Sequence, residues 1–193
     1  MKLFKSLLVA GVSVALLSGC GANNDKAANE TATASPAANE AATASPAAAQ
    51  TDATSAASIV NEAAAFTKAV SAEGTWIVAI LNDVTVDQDV VVAGEFHDKG
   101  VAENAVYRKL ALYAQDADHK ITANYTLTAP KVTVQSENFR VQGGTIKGDV
   151  YVEAKGFNLH ESATIDGNLY FASEDVKASA AVDGKVTGAT EVK

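Results

Sequence analysis

The side chains that could perform covalent or acid–base chemistry are few and widely spaced in this sequence of 193 residues. Cys20 is the single cysteine, so the chain beyond it has neither a catalytic thiol nor a cysteine-based zinc site. His97, His119 and His160 form no His-x-x-x-His or His-Glu-x-x-His pair, and we interpret each as a loop or surface residue. Gly-x-Ser-x-Gly, P-loop and Gly-x-Gly-x-x-Gly sequences do not occur. We therefore predict no catalytic residues, no metal site and no cofactor.

Two acidic turns provide the oxygen ligands that calcium prefers. The first contains Asp83, Asp87 and Asp89, and the second contains Asp116, Asp118 and His119. Neither turn has the spacing of an EF-hand or of a glycine-rich calcium repeat. Because aspartate is frequent in turns for local hydrogen bonding, we favour a structural role over calcium binding.

The first twenty residues have the layout of an export signal. Lys2 and Lys5 precede an apolar run at 7–17, which is too short to span a bilayer permanently. The segment Leu17-Ser18-Gly19-Cys20 then resembles the lipobox of bacterial lipoproteins. The resemblance implies that 1–19 is a cleaved signal peptide and that Cys20 is acylated on its sulfur and new amino group. Two or three acyl chains give stable anchoring, here at the extracytoplasmic face of the cell membrane. The alternative is an ordinary cleaved signal followed by a free thiol.

Residues 20–56 have the composition of a flexible tether. Two similar ten-residue copies, AANETATASP and AANEAATASP, end at Pro36 and Pro46, which interrupt any helix that the alanines begin. Beyond Cys20 the segment contains no aromatic or bulky apolar residue to bury. We predict a disordered linker whose root-mean-square span is about 30–36 Å.

The apolar pattern changes within the predicted domain, 57–193. Ile59, Phe66 and Val70 lie on one helical face, which predicts a helix over about 58–72 with Ser58 as its N-cap. We expect this helix to cover the amino-terminal end of the domain.

Strand patterns follow the predicted helix. The continuous apolar run at 76–81 predicts a strand buried on both faces. Alternating valines at 84–92 and leucines at 110–112 predict further strands, and the interval 94–120 breaks their rhythm. We predict no second helix.

The last third of the chain contains a repeat. Its copies are 145–152, 164–171 and 181–188, with Gly148, Gly167 and Gly184 at equivalent positions, 19 and 17 residues apart. A lead-in strand precedes each copy, so three sets of inward-facing residues are expected. The sets are Val141, Leu159 and Val176; Ile146, Ile165 and Val182; and Val150, Leu169 and Val186.

Short strands joined by Gly, Asp and Asn corners at this period are typical of a β-helix, in which each coil buries its inward face against the next. We therefore predict that 57–193 is mainly β and forms a short right-handed β-helix (β-solenoid) with one N-terminal capping helix. The segments 125–134 and 84–92 fit earlier coils. The last copy is weakly apolar, which would protect the strand edge at the other end of the domain. A β-sandwich with similar hairpins is the alternative, although sandwiches place turns every 8–12 residues or so.

The copies reading IKGDVYV and IDGNLYF resemble the bactofilins, small β-helical proteins that polymerise end to end without nucleotide. The resemblance covers about 125–188. It implies a β-helical fold and a scaffold-like role with self-association.

One outward-facing surface is a candidate for recognition. Strand alternation turns four residues outward on successive copies: Asp149, Tyr151, Asn168 and Tyr170. Stacked tyrosines flanked by polar groups could bind a glycan or a protein partner. Cross-strand stacking that stabilises the domain is the alternative, and we favour it.

The formal net charge of −8 argues against nucleic acid and against direct attraction to anionic lipid headgroups. We therefore expect the lipid on Cys20 to supply the membrane contact. The predicted function is that of a lipid-anchored, exported cell-envelope protein, a non-enzymatic structural or scaffold module that self-associates. The first alternative is a lipoprotein that binds glycan or peptidoglycan, and the second is a polysaccharide-active β-helix enzyme.

Overall fold

The computed structural model describes residues 57–193, and the predicted signal peptide, Cys20 and the predicted linker lie outside the described residues. Strands dominate the described part, and the prediction of a mainly β domain is confirmed. The strands are β1 (Ser58–Ile59), β2 (Ile77–Ala79), β3 (Val84–Thr85), β4 (Val90–Val92), β5 (Arg108–Ala111), β6 (Tyr113–Gln115), β7 (Ile121–Asn124), β8 (Thr126–Val134), β9 (Phe139–Gln142), β10 (Thr145–Val152), β11 (Asn158–Leu159), β12 (Thr164–Asp166), β13 (Leu169–Phe171), β14 (Ala181–Val182), β15 (Lys185–Val186) and β16 (Thr190–Val192). The helices are α1 (Ala63–Val70), a 3₁₀ turn (Asp98–Gly100) and α2 (Glu174–Ala178).

Two parallel sheets account for most of the strands. The first sheet has the order β1-β2-β5-β9-β11-β14. In the second sheet, β8 pairs with β3, β4 and β10, β10 continues to β12 and β13, and these pair with β15 and β16. The chain passes alternately through the two sheets, so each passage adds strands next to those of the passage before. The hairpin of β6 and β7 is antiparallel and lies outside both sheets.

The register of the first two repeat copies is as predicted. Ile146 pairs with Ile165, and Val150 pairs with Leu169. All four side chains are fully buried in one continuous apolar core. The earlier segments also pair as expected, since β3 and β4 pair with β8, and β8 pairs with β10. Period-two alternation therefore identified the inward residues of these strands correctly.

The third copy is displaced from its predicted alignment. Val182 pairs with Leu159 instead of aligning with Ile165, and Val186 takes the place next to Ile165. Leu169 pairs with Thr190, so the predicted third members of all three sets were wrong.

A second helix causes this displacement. Val176, predicted to lie in a lead-in strand, is instead a buried residue of α2. The helix begins after Ser173, whose side chain accepts a hydrogen bond from the Val176 amide at 3.2 Å, and Glu174 and Asp175 occupy its first turn. The prediction of no second helix was wrong, because this capping sequence inserts a turn of helix before the last strands.

Small residues line the corner where strands of the second sheet bend. Gly148 has a φ of +135°, and a Cβ there would lie 1.8 Å from the backbone oxygen of Ala129. A Cβ on Gly167 would lie 2.3 Å from the oxygen of Gly148, and the amide of Gly188 donates to the oxygen of Gly167 at 2.9 Å. The predicted equivalence of Gly148 and Gly167 agrees with this corner, whereas Gly188, not Gly184, is the third member.

Helix α1 is shorter than predicted. Ser58 and Ile59 form β1, which pairs with β2, and Ile59 is 38% exposed. Glu62 precedes the helix without a side-chain cap bond, so the assignment of Ser58 as N-cap was wrong. The free edge of β2 offers backbone partners to these residues, and pairing there satisfies them better than an extra helical turn. Phe66 and Val70 are buried against the core as predicted.

The predicted strand at 76–81 is regular only over β2. Val78 belongs to the main core, whereas Ala79 packs on the opposite face with Ala111 and Tyr113. Both faces are therefore covered at these two positions, with Ile121 of β7 packed against the outer cluster. Trp76, by contrast, is only half-buried, so the prediction of a strand buried throughout was wrong at its beginning.

Candidate functional site

The two tyrosines of the predicted surface lie on adjacent parallel strands. Tyr151 and Tyr170 are register partners on β10 and β13, and both are half-buried. The Tyr151 hydroxyl donates to the backbone oxygen of Lys193 at 3.1 Å. The Lys193 ammonium lies 3.5 Å from the centroid of the Tyr170 ring. Its pKa is raised, first by this contact with Tyr170. Lys193 therefore already contacts both tyrosines, which favours a structural role for the pair.

Asp149 and Asn168, the polar members of the predicted surface, are engaged with each other. One carboxylate oxygen of Asp149 accepts hydrogen bonds from the Asn168 backbone amide and from its Nδ2, each 2.9 Å long. The side-chain oxygen of Asn168 accepts from the Ala189 amide at 2.9 Å. The hydrogen bonds of Asp149 and Asn168 therefore connect successive corners of the domain.

The acidic turns also satisfy local backbone groups. Asp83 accepts a hydrogen bond from the Thr126 amide at 2.7 Å, and Asp116 accepts from the amides of Asp118 and Lys120. Within 57–193, no group of three or more His, Cys, Asp or Glu side chains is placed to hold a metal ion.

An open groove on the first sheet was not predicted. Its volume is about 760 Å³. Its lining consists of Trp76, Ile77, Asp98, Ala105, Val106, Tyr107, Lys109 and Asn138. The centroids of the Trp76 and Tyr107 rings lie 6.2 Å apart, with their planes tilted by 56°. A concave surface with paired aromatic rings and a few polar groups has the features of a ligand site.

Three adjacent parallel strands position the groove. Trp76 directly precedes β2, Tyr107 precedes β5, and Asn138 precedes β9. The Lys109 amide donates to the oxygen of Trp76 at 2.8 Å, and the side-chain amide of Asn138 donates to the oxygen of Val106 at 3.0 Å. Residues that are far apart in sequence therefore lie close together, because each directly precedes one of three adjacent parallel strands at the same end of the sheet.

The loop between β4 and β5 forms one wall of the groove. The Tyr107 amide donates to the oxygen of Phe96 at 2.8 Å, and the Asp98 amide donates to the oxygen of Ala105 at 3.0 Å. These bonds hold Asp98 opposite the sheet. Burial raises the pKa of the Tyr107 hydroxyl; the positive charge of Arg140 opposes that shift, and the negative charge of Asp98 adds to it. Tyr107 thus lies in the electrostatic field of one cationic and one anionic group.

Arg108 stabilises the backbone behind the groove. It is 1% exposed and donates to backbone oxygens of α1 and of the two loops beside it, and to one hydroxyl. The acceptors are the oxygens of Ala69, Ser71, Thr75 and Ala93 and the Oγ of Ser136. Its Cζ also lies 4.1 Å from the centroid of the Phe96 ring. Burial lowers its pKa to about 10, so the guanidinium stays charged at neutral pH. By holding Thr75, Arg108 fixes the backbone that carries Trp76.

Sequence reasoning missed these residues because it treated Trp76 as a buried strand residue and found no repeat in 94–120. None of the helices within 57–193 is long and apolar enough to cross a membrane. Comparison with protein-family models, with curated proteins and with solved structures gives no match for this chain.

Proposed function

We propose that this chain is an exported lipoprotein, held at the extracytoplasmic face of the cell membrane by acylated Cys20. Its domain is a short right-handed β-solenoid that acts as a non-enzymatic scaffold and self-associates through one end. The alternating passage of the chain through two parallel sheets supports the solenoid, because each passage then corresponds to one coil. Helix α1 is assigned as the cover of the first end, which the burial of Phe66, Ala69 and Val70 supports.

The observation that carries the self-association proposal is the strand edge of the last coil, which has no partner strand within 57–193. In the sheet orders, β14, β15 and β16 each have a single neighbour. Of the apolar side chains there, Val182 is 38% exposed, and Val186 and Val192 are half-buried. An uncovered strand edge with apolar residues favours pairing with another chain.

The backbone groups of β16 are oriented for such pairing. The Lys193 amide and the Ala189 oxygen bond to β13. Because alternate residues of a parallel strand bond to the same side, the groups of Thr190 and Val192 face away from the domain. Glu191 and Lys193 carry opposite charges. Two-fold symmetric pairing of two β16 strands therefore places Glu191 of each copy near Lys193 of the other. Since α1 occupies the first end, we expect a dimer and not a filament.

Light scattering coupled to size-exclusion chromatography tests this proposal on a 57–193 fragment whose folding is checked by thermal melting. We expect twice the monomer mass, and a shift to monomer for Thr190→Pro, because proline removes an edge amide and obstructs pairing. Val91→Pro is the matched control on β4: the Val92 oxygen bonds toward β8, so the Val91 amide faces away from it. A monomeric wild type, or dissociation by both prolines in folded protein, would overturn the proposal.

Glycan binding is a second candidate function, and the groove favours it. Trp76 and Tyr107 present two rings to an open concave surface, where a sugar ring can stack while its hydroxyls bond to neighbouring polar groups. Asp98 is the one carboxylate among the lining residues, whereas glycoside hydrolysis generally uses two, so we assign binding and not cleavage to this groove. Loss of binding to purified envelope polysaccharide in Trp76→Leu, with folding retained, would support this function. Unchanged binding would exclude it.

A further inference from the structure

We propose that the groove recognises an acidic saccharide, whose ring contacts Trp76 and Tyr107 and whose carboxylate is bound by Lys109 and Arg140. This inference rests on the glycan-binding candidate and names the class of glycan. It is carried by a pair of adjacent cations, by their freedom from anionic partners and by the charge arrangement around Tyr107.

The two cations are neighbours across the first sheet. Lys109 of β5 and Arg140 of β9 are register partners, and parallel strands lie about 4.8 Å apart. Their flanking residues Leu110 and Val141 are fully buried, so alternation places both cations on the outer face beside the groove. Positive charges on neighbouring side chains repel each other, and an anion bound between them removes that cost.

Neither cation is neutralised within the described part of the chain. The ion pairs there are His97 with Glu95 and Lys131 with Asp89, and they include neither Lys109 nor Arg140, which lies beside the groove and not in its lining. Lys109 Nζ donates to the Tyr113 hydroxyl at 2.9 Å, a neutral partner. The side chain of Arg140 makes no hydrogen bond to any residue of 57–193, and its Nε is buried without a partner there. Arg140 therefore differs from Arg108 in having no acceptor for its side chain within 57–193, and a guanidinium fork fits a carboxylate well.

The groove also offers groups that can bond to sugar hydroxyls. Tyr107 lies in the electrostatic field of Arg140 and of Asp98. Its hydroxyl is protonated at neutral pH and can donate to a sugar oxygen. Asp98, which lines the groove, can accept hydrogen bonds from sugar hydroxyls. A saccharide that carries both hydroxyls and a carboxylate therefore matches the groove, whereas a simple anion would leave the aromatic rings unused.

Two disaccharides that differ by one carboxylate-bearing group provide the test. N-acetylglucosaminyl-N-acetylmuramic acid carries a lactyl ether that N,N′-diacetylchitobiose (chitobiose below) lacks, and the rings and linkage are otherwise alike. Binding of each to the full chain in detergent micelles is measured by isothermal titration calorimetry. We expect the acidic disaccharide to bind about tenfold more tightly, with the difference shrinking as salt is added.

Variants locate the effect in the groove. Lys109→Gln and Arg140→Gln should each remove most of the preference for the acidic disaccharide while leaving weak chitobiose binding, and Trp76→Leu should weaken both. Lys131→Gln is the matched control, since it removes a positive charge on the other sheet, and we expect no change in either affinity. Each variant is checked by thermal melting.

The outcomes distinguish the preference for an acidic saccharide from the glycan-binding function on which it rests. Equal affinities for the two disaccharides, both weakened by Trp76→Leu, would overturn the acidic preference and leave glycan binding in place. Absence of binding to both, or binding that folded Trp76→Leu retains in full, would overturn both proposals.

Discussion

The ammonium of Lys193 lies 3.5 Å from the centre of the Tyr170 ring. The same residue accepts a hydrogen bond from Tyr151 through its backbone oxygen. The tyrosines that the repeat places on successive strands are thus register partners bound by a third residue, and they contribute chiefly to holding β16 against β13. Recognition is assigned instead to the groove around Trp76.

Changing both tyrosines to serine tests this division of roles. We expect Tyr151→Ser/Tyr170→Ser to lower the free energy of unfolding by about 1 kcal/mol or less per residue, because half-buried aromatics lose only part of their contact area. Binding to purified envelope fractions in a pull-down should be unchanged. A lost pull-down with an unchanged melting temperature would return the recognition surface to the tyrosines.

Adjacent residues on β12 should differ strongly in their tolerance of substitution. Ile165 is fully buried between Ile146 and Val186, so Ile165→Asp places an unpaired charge in the core and should cost about 3 kcal/mol or more. Asp166 is exposed and accepts one hydrogen bond from the Thr187 hydroxyl, so Asp166→Ala should cost about 0.5 kcal/mol or less. Chemical denaturation measures both. Similar midpoints for the two variants would contradict the assigned register.

Among the charged residues of the domain, Arg108 is expected to be the one whose substitution lowers the free energy of unfolding most. Arg108→Met removes five donated hydrogen bonds and leaves four backbone oxygens without these partners, which should cost about 3 kcal/mol or more. Lys109→Met, the neighbouring half-buried cation, should cost about 1 kcal/mol or less. Thermal melts of the pair measure the difference, and equal losses would refute the stabilising role of Arg108.

The first two repeat copies were predictable from sequence because Ile146, Val150, Ile165 and Leu169 alternate with polar residues at a constant spacing. The third copy was not, although the signal for α2 was present: Ser173 is a favourable cap, and two acids follow it. An apolar Val176 between polar neighbours looks equally like a strand residue, and only the pairing of β14 with β11 distinguishes the two.

The groove was beyond sequence reasoning for a different reason. Trp76, Tyr107 and Asn138 precede three strands whose spacing is irregular, so their proximity depends on a register that no repeat reveals. Arg108 carries no local sign of burial either, because arginine is normally exposed. Its environment comes from α1 and two loops that meet only in the folded domain.

Membrane association should depend on Cys20 alone. Cys20→Ala removes the acylation site that the lipobox resemblance implies, which is the one lipid attachment that we propose for this chain. We expect the variant to leave the membrane pellet after a carbonate wash, whereas the wild type stays. A variant that remains in the washed pellet would contradict the lipoprotein proposal.

Self-association of the anchored protein is tested most directly by cysteine cross-linking in intact cells. Cys20 is the only cysteine of the chain, and its sulfur is blocked if it is acylated, so an introduced cysteine is then the single free thiol. We expect Glu191→Cys, on the open edge of β16, to give a covalent dimer with a short membrane-permeable bismaleimide, because the two introduced thiols lie near each other but beyond disulfide reach. Val91→Cys, similarly exposed on β4 at the covered end, should stay monomeric. Monomer at both positions, or equal cross-linking at both, would contradict an envelope scaffold that pairs through its last coil.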